Sequence, residues 1–281
     1  MNRQTSLLVI NTKTSDAFIA RAAEAVALND GHLSCMVIGE TPVMPFNAYG
    51  MPPYGSISIR EDWVDTIQGM RKTLEERVNQ VEAILAKTDV SGDVQFVLCP
   101  DIEIKHQIAR RARVCDIAHI APNLRDTPDT LHEAAHGVLF HSPTGLMLNG
   151  LPGMAADQIF IAWDSSEPAS AAVHAALPYL KQSKSIVIGC FDPVMSEDQD
   201  GVDPGTDLAA WLSHHGCTVT VTQYPSGKKE IGQCVLDRAT ETGADLIVMG
   251  GYGHARLLQA VFGGTTRTLM DQIDLPVLMA H

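Results

Sequence analysis

The stretch DLIVMGGYGHARLLQAVFGGTTRT, residues 245–268, joins an apolar strand, a glycine-rich turn and the start of a helix. After Asp245, the run Leu-Ile-Val-Met is short, continuous and apolar, as expected of a strand buried on both faces. Gly250, Gly251 and Gly253 follow, and glycines let the backbone turn sharply and come close to a ligand. Gly263, Gly264, Thr265 and Thr266 then open the last helix. The free N–H groups of a first helical turn, at the positive end of the dipole, favour an anion. Thr265 or Thr266 suits a helix cap or a hydroxyl donor to phosphate. In doubly wound folds ligands bind at this carboxyl edge of the sheet.

Working outward, the chain repeats itself weakly. SLLVINTK, a helical SDAFIARAAEAVAL and HLSCMVIGE in the first half match QIFIAWDSS, EPASAAVHAALPYL and SKSIVIGCFDP in the second. Each half then alternates helices with the strands DVQFVLCP and CDIAHIAP, or CTVTVTQY and ADLIVMGG, before a last strand, SPTGLML or LPVLMAH. Apolar strands alternating with amphipathic helices predict parallel sheets covered on both faces, with right-handed crossovers. The expected fold is α/β: two doubly wound, five-stranded, mostly parallel sheets in tandem, residues 1–150 and 154–281, joined near Gly150-Leu151-Pro152-Gly153. The first half carries a long insertion, with a Pro/Gly/Tyr/Met stretch at 41–56 and a helix from about Glu61 to Lys87.

The spacing Gly250-x2-Gly253-x9-Gly263 resembles the motif G-x2-G-x9-G-(S/T) of the universal stress protein family. The resemblance extends to LPVLMAH, like that family's last, domain-pairing strand, and to FIAWDSSEPASAAV, like its opening strand. It covers most of residues 157–281, and the first half more loosely. It implies an adenine nucleotide alpha hydrolase-like fold, ATP with Mg²⁺ as ligand, and an intramolecular pseudo-dimer made through the last strands, with a homodimer left open. It also implies that Asp164 neighbours the adenosine and that Gly250, Gly253, His254, Gly263, Gly264, Thr265 and Thr266 face the ribose and phosphates. This chain departs from the motif at Gly264, where ATP-binding members have Ser or Thr. The first half lacks these glycines and ends its opening strand in Asn11 rather than Asp, so loss of its nucleotide site is expected.

Composition narrows the rest. The chain has 281 residues, 33 of them acidic and 20 basic, for a net charge of −13. Such a surface repels phosphate backbones, so nucleic-acid partners are not expected. Six scattered cysteines without a CxxC pair argue for a reducing compartment. The first apolar run is too short for a signal peptide and no run approaches a membrane span. A cytoplasmic location follows as an expectation.

The sequence HEAAH (residues 132–136) matches the zinc-protease pattern H-E-x-x-H, with His119 or His141 as a third ligand. Its place in the repeat, however, predicts an ordinary sheet-covering helix, and no metal is expected. No G-x-S-x-G elbow, Walker loop or G-x-G-x-x-G turn occurs. The expectation is a stress-response protein that is not an enzyme, with at most weak ATP hydrolysis. The alternative is a nucleotide-free scaffold whose insertion contacts a protein or lipid-like partner.

Overall fold

The computed structural model describes residues 3–42, 61–196, 200–251 and 264–281. The first half runs β1 (Thr5–Asn11), α1 (Asp16–Leu28), β2 (His32–Glu40), α2 (Glu61–Lys87), β3 (Ser91–Cys99) and α3 (Asp101–Ala112). It continues with β4 (Ile117–Ile120), a 3-10 turn (Pro122–Asp126), α4 (Pro128–His141) and β5 (Gly145–Leu148). The second half runs β6 (Gln158–Ala162), α5 (Glu167–Leu180), β7 (Ser185–Phe191), α6 (Thr206–His214) and β8 (Val219–Tyr224). Then come α7 (Ile231–Glu241), β9 (Leu246–Gly250), α8 (Gly264–Asp271) and β10 (Val277–Ala280). The helix expected at Glu61–Lys87 is present, while the Pro/Gly/Tyr/Met stretch lies almost wholly outside the described residues.

The strands form one sheet in the order β3-β2-β1-β4-β5-β10-β9-β6-β7-β8. Within each half the pairing is parallel, and the halves meet at the antiparallel pair β5–β10, Leu146 opposite Met279 and Leu148 opposite Val277. Strand residues alternate between two covered faces. Ile159, Ile161 and Val248 face α5 and α6 through Ala172, Val173, Ala176, Leu208 and Leu212. Phe160, Ile247 and Met249 belong to the opposite layer with Val235 and Ala239 of α7 and Leu269 and Met270 of α8. Burying each large aliphatic side chain contributes about 1.5–3 kcal/mol, and the small alanines let helices approach the sheet closely. In each half the order reverses around the first strand: β1 lies between β2 and β4, and β6 between β7 and β9. Those two switch points are where a doubly wound sheet leaves a crevice at its carboxyl edge.

Cross-half contacts also fasten α8. The guanidinium of Arg125, from the 3-10 turn, donates to the carbonyls of Met270 and Gln272 and to Asn149 Oδ1, at 3.1, 3.1 and 2.8 Å. Asn149 Nδ2 donates to the Gln272 and Leu275 carbonyls, both at 3.0 Å. The last carbonyls of a helix have no intrahelical donors, so a cation there satisfies them and suits the dipole. Among the described residues no helix is long and apolar enough to cross a membrane.

Candidate functional site

The second-half switch point brings the end of β6 beside the end of β9. Ala162 pairs with Met249, so the chain beyond each strand, Asp164 on one and Gly250–Gly251 on the other, leaves neighbouring strands roughly 5 Å apart. Asp164 is exposed and organises its own turn: Oδ1 accepts the Ser166 N–H at 3.1 Å and the Ser166 hydroxyl at 2.5 Å. Ser165 between them has φ +59°, a conformation that costs a non-glycine residue energy and that the carboxylate bridge stabilises. Ser166 then caps α5 by accepting the Ala169 N–H at 3.2 Å.

Gly250 is required by packing against that same cap. A Cβ on it would stand 2.5 Å from the Ala169 amide nitrogen and 2.8 Å from the Pro168 carbonyl carbon. Both are backbone atoms of the first turn of α5, which cannot swing aside as a side chain can. Gly250→Ala is therefore expected to lower stability by about 1–3 kcal/mol in urea unfolding, as overpacking does. Unchanged stability would show that α5 can retreat freely. Gly251 is tied to the last strand by its N–H to the Ala280 carbonyl at 2.8 Å, and its own carbonyl lies 2.8 Å from His281 Nδ1.

At the start of α8 the dominant neighbour is Glu230, the N-cap of α7. Its carboxylate accepts the Gln233 N–H at 2.9 Å, the Thr265 hydroxyl at 3.3 Å and the Thr268 hydroxyl at 3.2 Å. A carboxylate thus lies across the first turn of α8, on the hydroxyl that the motif reading assigns to a phosphate. Gly264 is exposed, and among the described residues a Cβ on it would meet only Glu230 Oε1, at an ordinary 3.5 Å. Packing against the described residues therefore does not demand glycine where the family motif has a hydroxyl residue. Thr266 is buried. Gly253, His254 and Gly263 lie outside the described residues.

The first half repeats the turn without the acid. Asn11 Oδ1 accepts the Lys13 N–H at 2.9 Å, as Asp164 does for Ser166, so an amide oxygen is enough to close it. Asn123 Nδ2 donates to the same oxygen at 2.8 Å. HEAAH lies on α4 as a sheet-covering helix, with Ala134, Ala135, Val138 and Leu139 buried. Glu133 pairs with Lys105 at 3.1 Å, and the His136 ring packs on Phe140 and His141 with centroids 4.7 and 5.2 Å away. Among the described residues no group of three His, Cys, Asp or Glu side chains could hold a metal ion.

Comparison with known proteins bears on the strand–turn–helix unit itself. The universal stress protein family model matches residues 217–281, from before β8 to the last strand. The structure of a universal stress protein from Archaeoglobus fulgidus DSM 4304 is similar over 98% of this chain and 97% of that one, with a TM-score of 0.63 and 14% identity. A functionally unknown protein from Pseudomonas aeruginosa PAO1 is similar over 98% of this chain and 92% of its own, with a TM-score of 0.52 and 14% identity. At such identities these structures speak to the fold alone, which they share over both halves. No curated protein sequence matches the chain.

Proposed function

We propose that the chain binds an adenine nucleotide in its second half and acts in a cytoplasmic stress response through the occupancy of that site. The observation that carries this reading is the β6–β9 pairing, which sets Asp164 next to Gly250 at a switch point followed by the α8 helix start. Asp164 would orient the adenosine through the carboxylate oxygen that Ser166 leaves free. The α8 N–H groups and the Thr265 hydroxyl would hold phosphate oxygens, with Gly253, His254 and Gly263 on the intervening loop. Mg²⁺ would balance part of the phosphate charge. Among the described residues no general acid–base pair accompanies these groups, and the proposed role is binding, with at most weak hydrolysis of ATP.

Differential scanning calorimetry tests it. ATP with Mg²⁺ at about a hundred times Kd should stabilise the protein by about 2.7 kcal/mol, raising Tm by roughly 5 °C. No shift at millimolar ATP would sink the reading. Glu230→Gln keeps an acceptor for the α7 cap and removes the like charge from the start of α8. It is expected to tighten ATP binding by about five-fold, the scale of one exposed charge interaction. Unaltered affinity would place the phosphates elsewhere.

A further inference from the structure

A second crevice opens at the other switch point, in the half without the glycine motif. It has a volume of about 340 Å³, within the usual range for small-molecule sites. Ile38 at the end of β2 and Met70 and Leu74 of α2 supply apolar wall. Asn11 and Asn123 line it as well; they are already bonded to each other, and the Thr14 hydroxyl donates to Asn123 Oδ1 at 2.9 Å. That wall is set before anything enters, which lowers the cost of ordering a ligand.

The charged groups of the rim decide the chemistry. Glu40 ends β2 and Asp126 ends the 3-10 turn that follows β4; both are exposed and both line the crevice. Because β1 separates β2 from β4, the two carboxylates flank the opening strand, Glu40 at the end of β2 and Asp126 six residues past the end of β4. Lys13 also lines the crevice and is exposed at its mouth. Partial burial, with Asp101 and Asp129 nearby, raises the Glu40 carboxyl above its ordinary range. The region is short of positive charge, a poor setting for phosphate and a good one for ammonium.

We propose that this first-half crevice binds a slender α,ω-diamine, its apolar chain against Ile38, Met70 and Leu74 and its ammonium groups on Glu40 and Asp126. Two carboxylates on opposite sides of β1 select for two cationic ends, and the apolar lining they share selects against a compact hydrated cation. This site is independent of the nucleotide reading, since no residue is shared between the two.

Isothermal titration calorimetry of the full chain with cadaverine tests it, with n-pentylamine and glutarate as comparisons. Cadaverine should saturate one site, with n-pentylamine about ten-fold weaker for want of the second ammonium. Glutarate, with the opposite charge, should give no saturable heat. Glu40→Gln and Asp126→Asn should each weaken cadaverine about five-fold and leave the thermal melt unchanged, because both side chains are exposed. Absence of saturable heat at millimolar cadaverine would overturn the proposal. So would equal binding of n-pentylamine, or undiminished affinity in a folded Glu40→Gln, Asp126→Asn double variant.

Discussion

Lowering the pH from 6.5 to 4 is expected to remove about 3 kcal/mol of stability through His119 alone. His119 lies in β4 between Leu8 and Met147 of the flanking strands and is 1% exposed. Its Nδ1 donates to the Gly150 carbonyl at 3.1 Å, while Nε2 is buried without a hydrogen-bond partner among the described residues. Burial disfavours the imidazolium and pulls the pKa from the ordinary 6.5 to about 4, against a small upward pull from the Gly150 bond. Between those values the unfolded chain binds a proton that the folded chain does not, so stability is full above the unfolded pKa and falls as pH drops. His136 and His141 are also held low, by burial first and then by the charge of His141 on His136 and of His106 on His141, and they add to the loss in the same direction. Urea unfolding across this pH range checks the expectation. His119→Gln keeps a donor for Gly150 and cannot titrate, so its profile should be flatter than the wild type's by about 3 kcal/mol. Parallel profiles would mean that His119 is protonated in the folded protein.

Replacing Arg125 by alanine is expected to cost about 2–3 kcal/mol, as loss of charged hydrogen bonds to partly buried acceptors does. The Met270 and Gln272 carbonyls and Asn149 Oδ1 would all lose their shared cationic donor. Asn149 still reaches Gln272 and Leu275, which limits the damage to less than full separation of the helix end. Arg125→Lys should recover part of the loss, since all three bonds leave the single nitrogen Nη2 and an ammonium also carries three donors, though on a shorter side chain. Equilibrium urea unfolding reads both variants. A cost below about 0.5 kcal/mol for alanine, the size of an ordinary surface change, would show that the clasp is not a structural joint.

The alternation of strands and helices was legible because each strand is a continuous apolar run and each helix carries buried residues at helical spacing, as Ile19, Ala22, Ala23 and Val26 do on α1. Pairing of the last strands was legible too, through LPVLMAH. What escaped a linear reading depends on approach in space. Gly250 reads as part of an anion loop, yet the first turn of α5 is what excludes a side chain there. Glu230 carries no motif and lies 35 residues from Thr265, whose hydroxyl it accepts. Nor does any motif mark the first-half crevice, because α2, reached after a long insertion, supplies one of its walls. The clasp joins Arg125 to carbonyls 145 and 147 residues away, a relation that only the meeting of the halves creates.

The antiparallel pair β5–β10 has a consequence for how the molecule responds to dilution. Two separate chains joined this way would come apart as their concentration fell. Here both strands lie on one chain, so closing the sheet is a first-order event with a fixed effective concentration. The ten-stranded sheet should therefore persist at any protein level, always with one copy of each half. Fixed pairing also removes the demand that both sides be alike. One switch point can keep a glycine turn while the other acquires an acidic crevice, and neither change disturbs the joint between them.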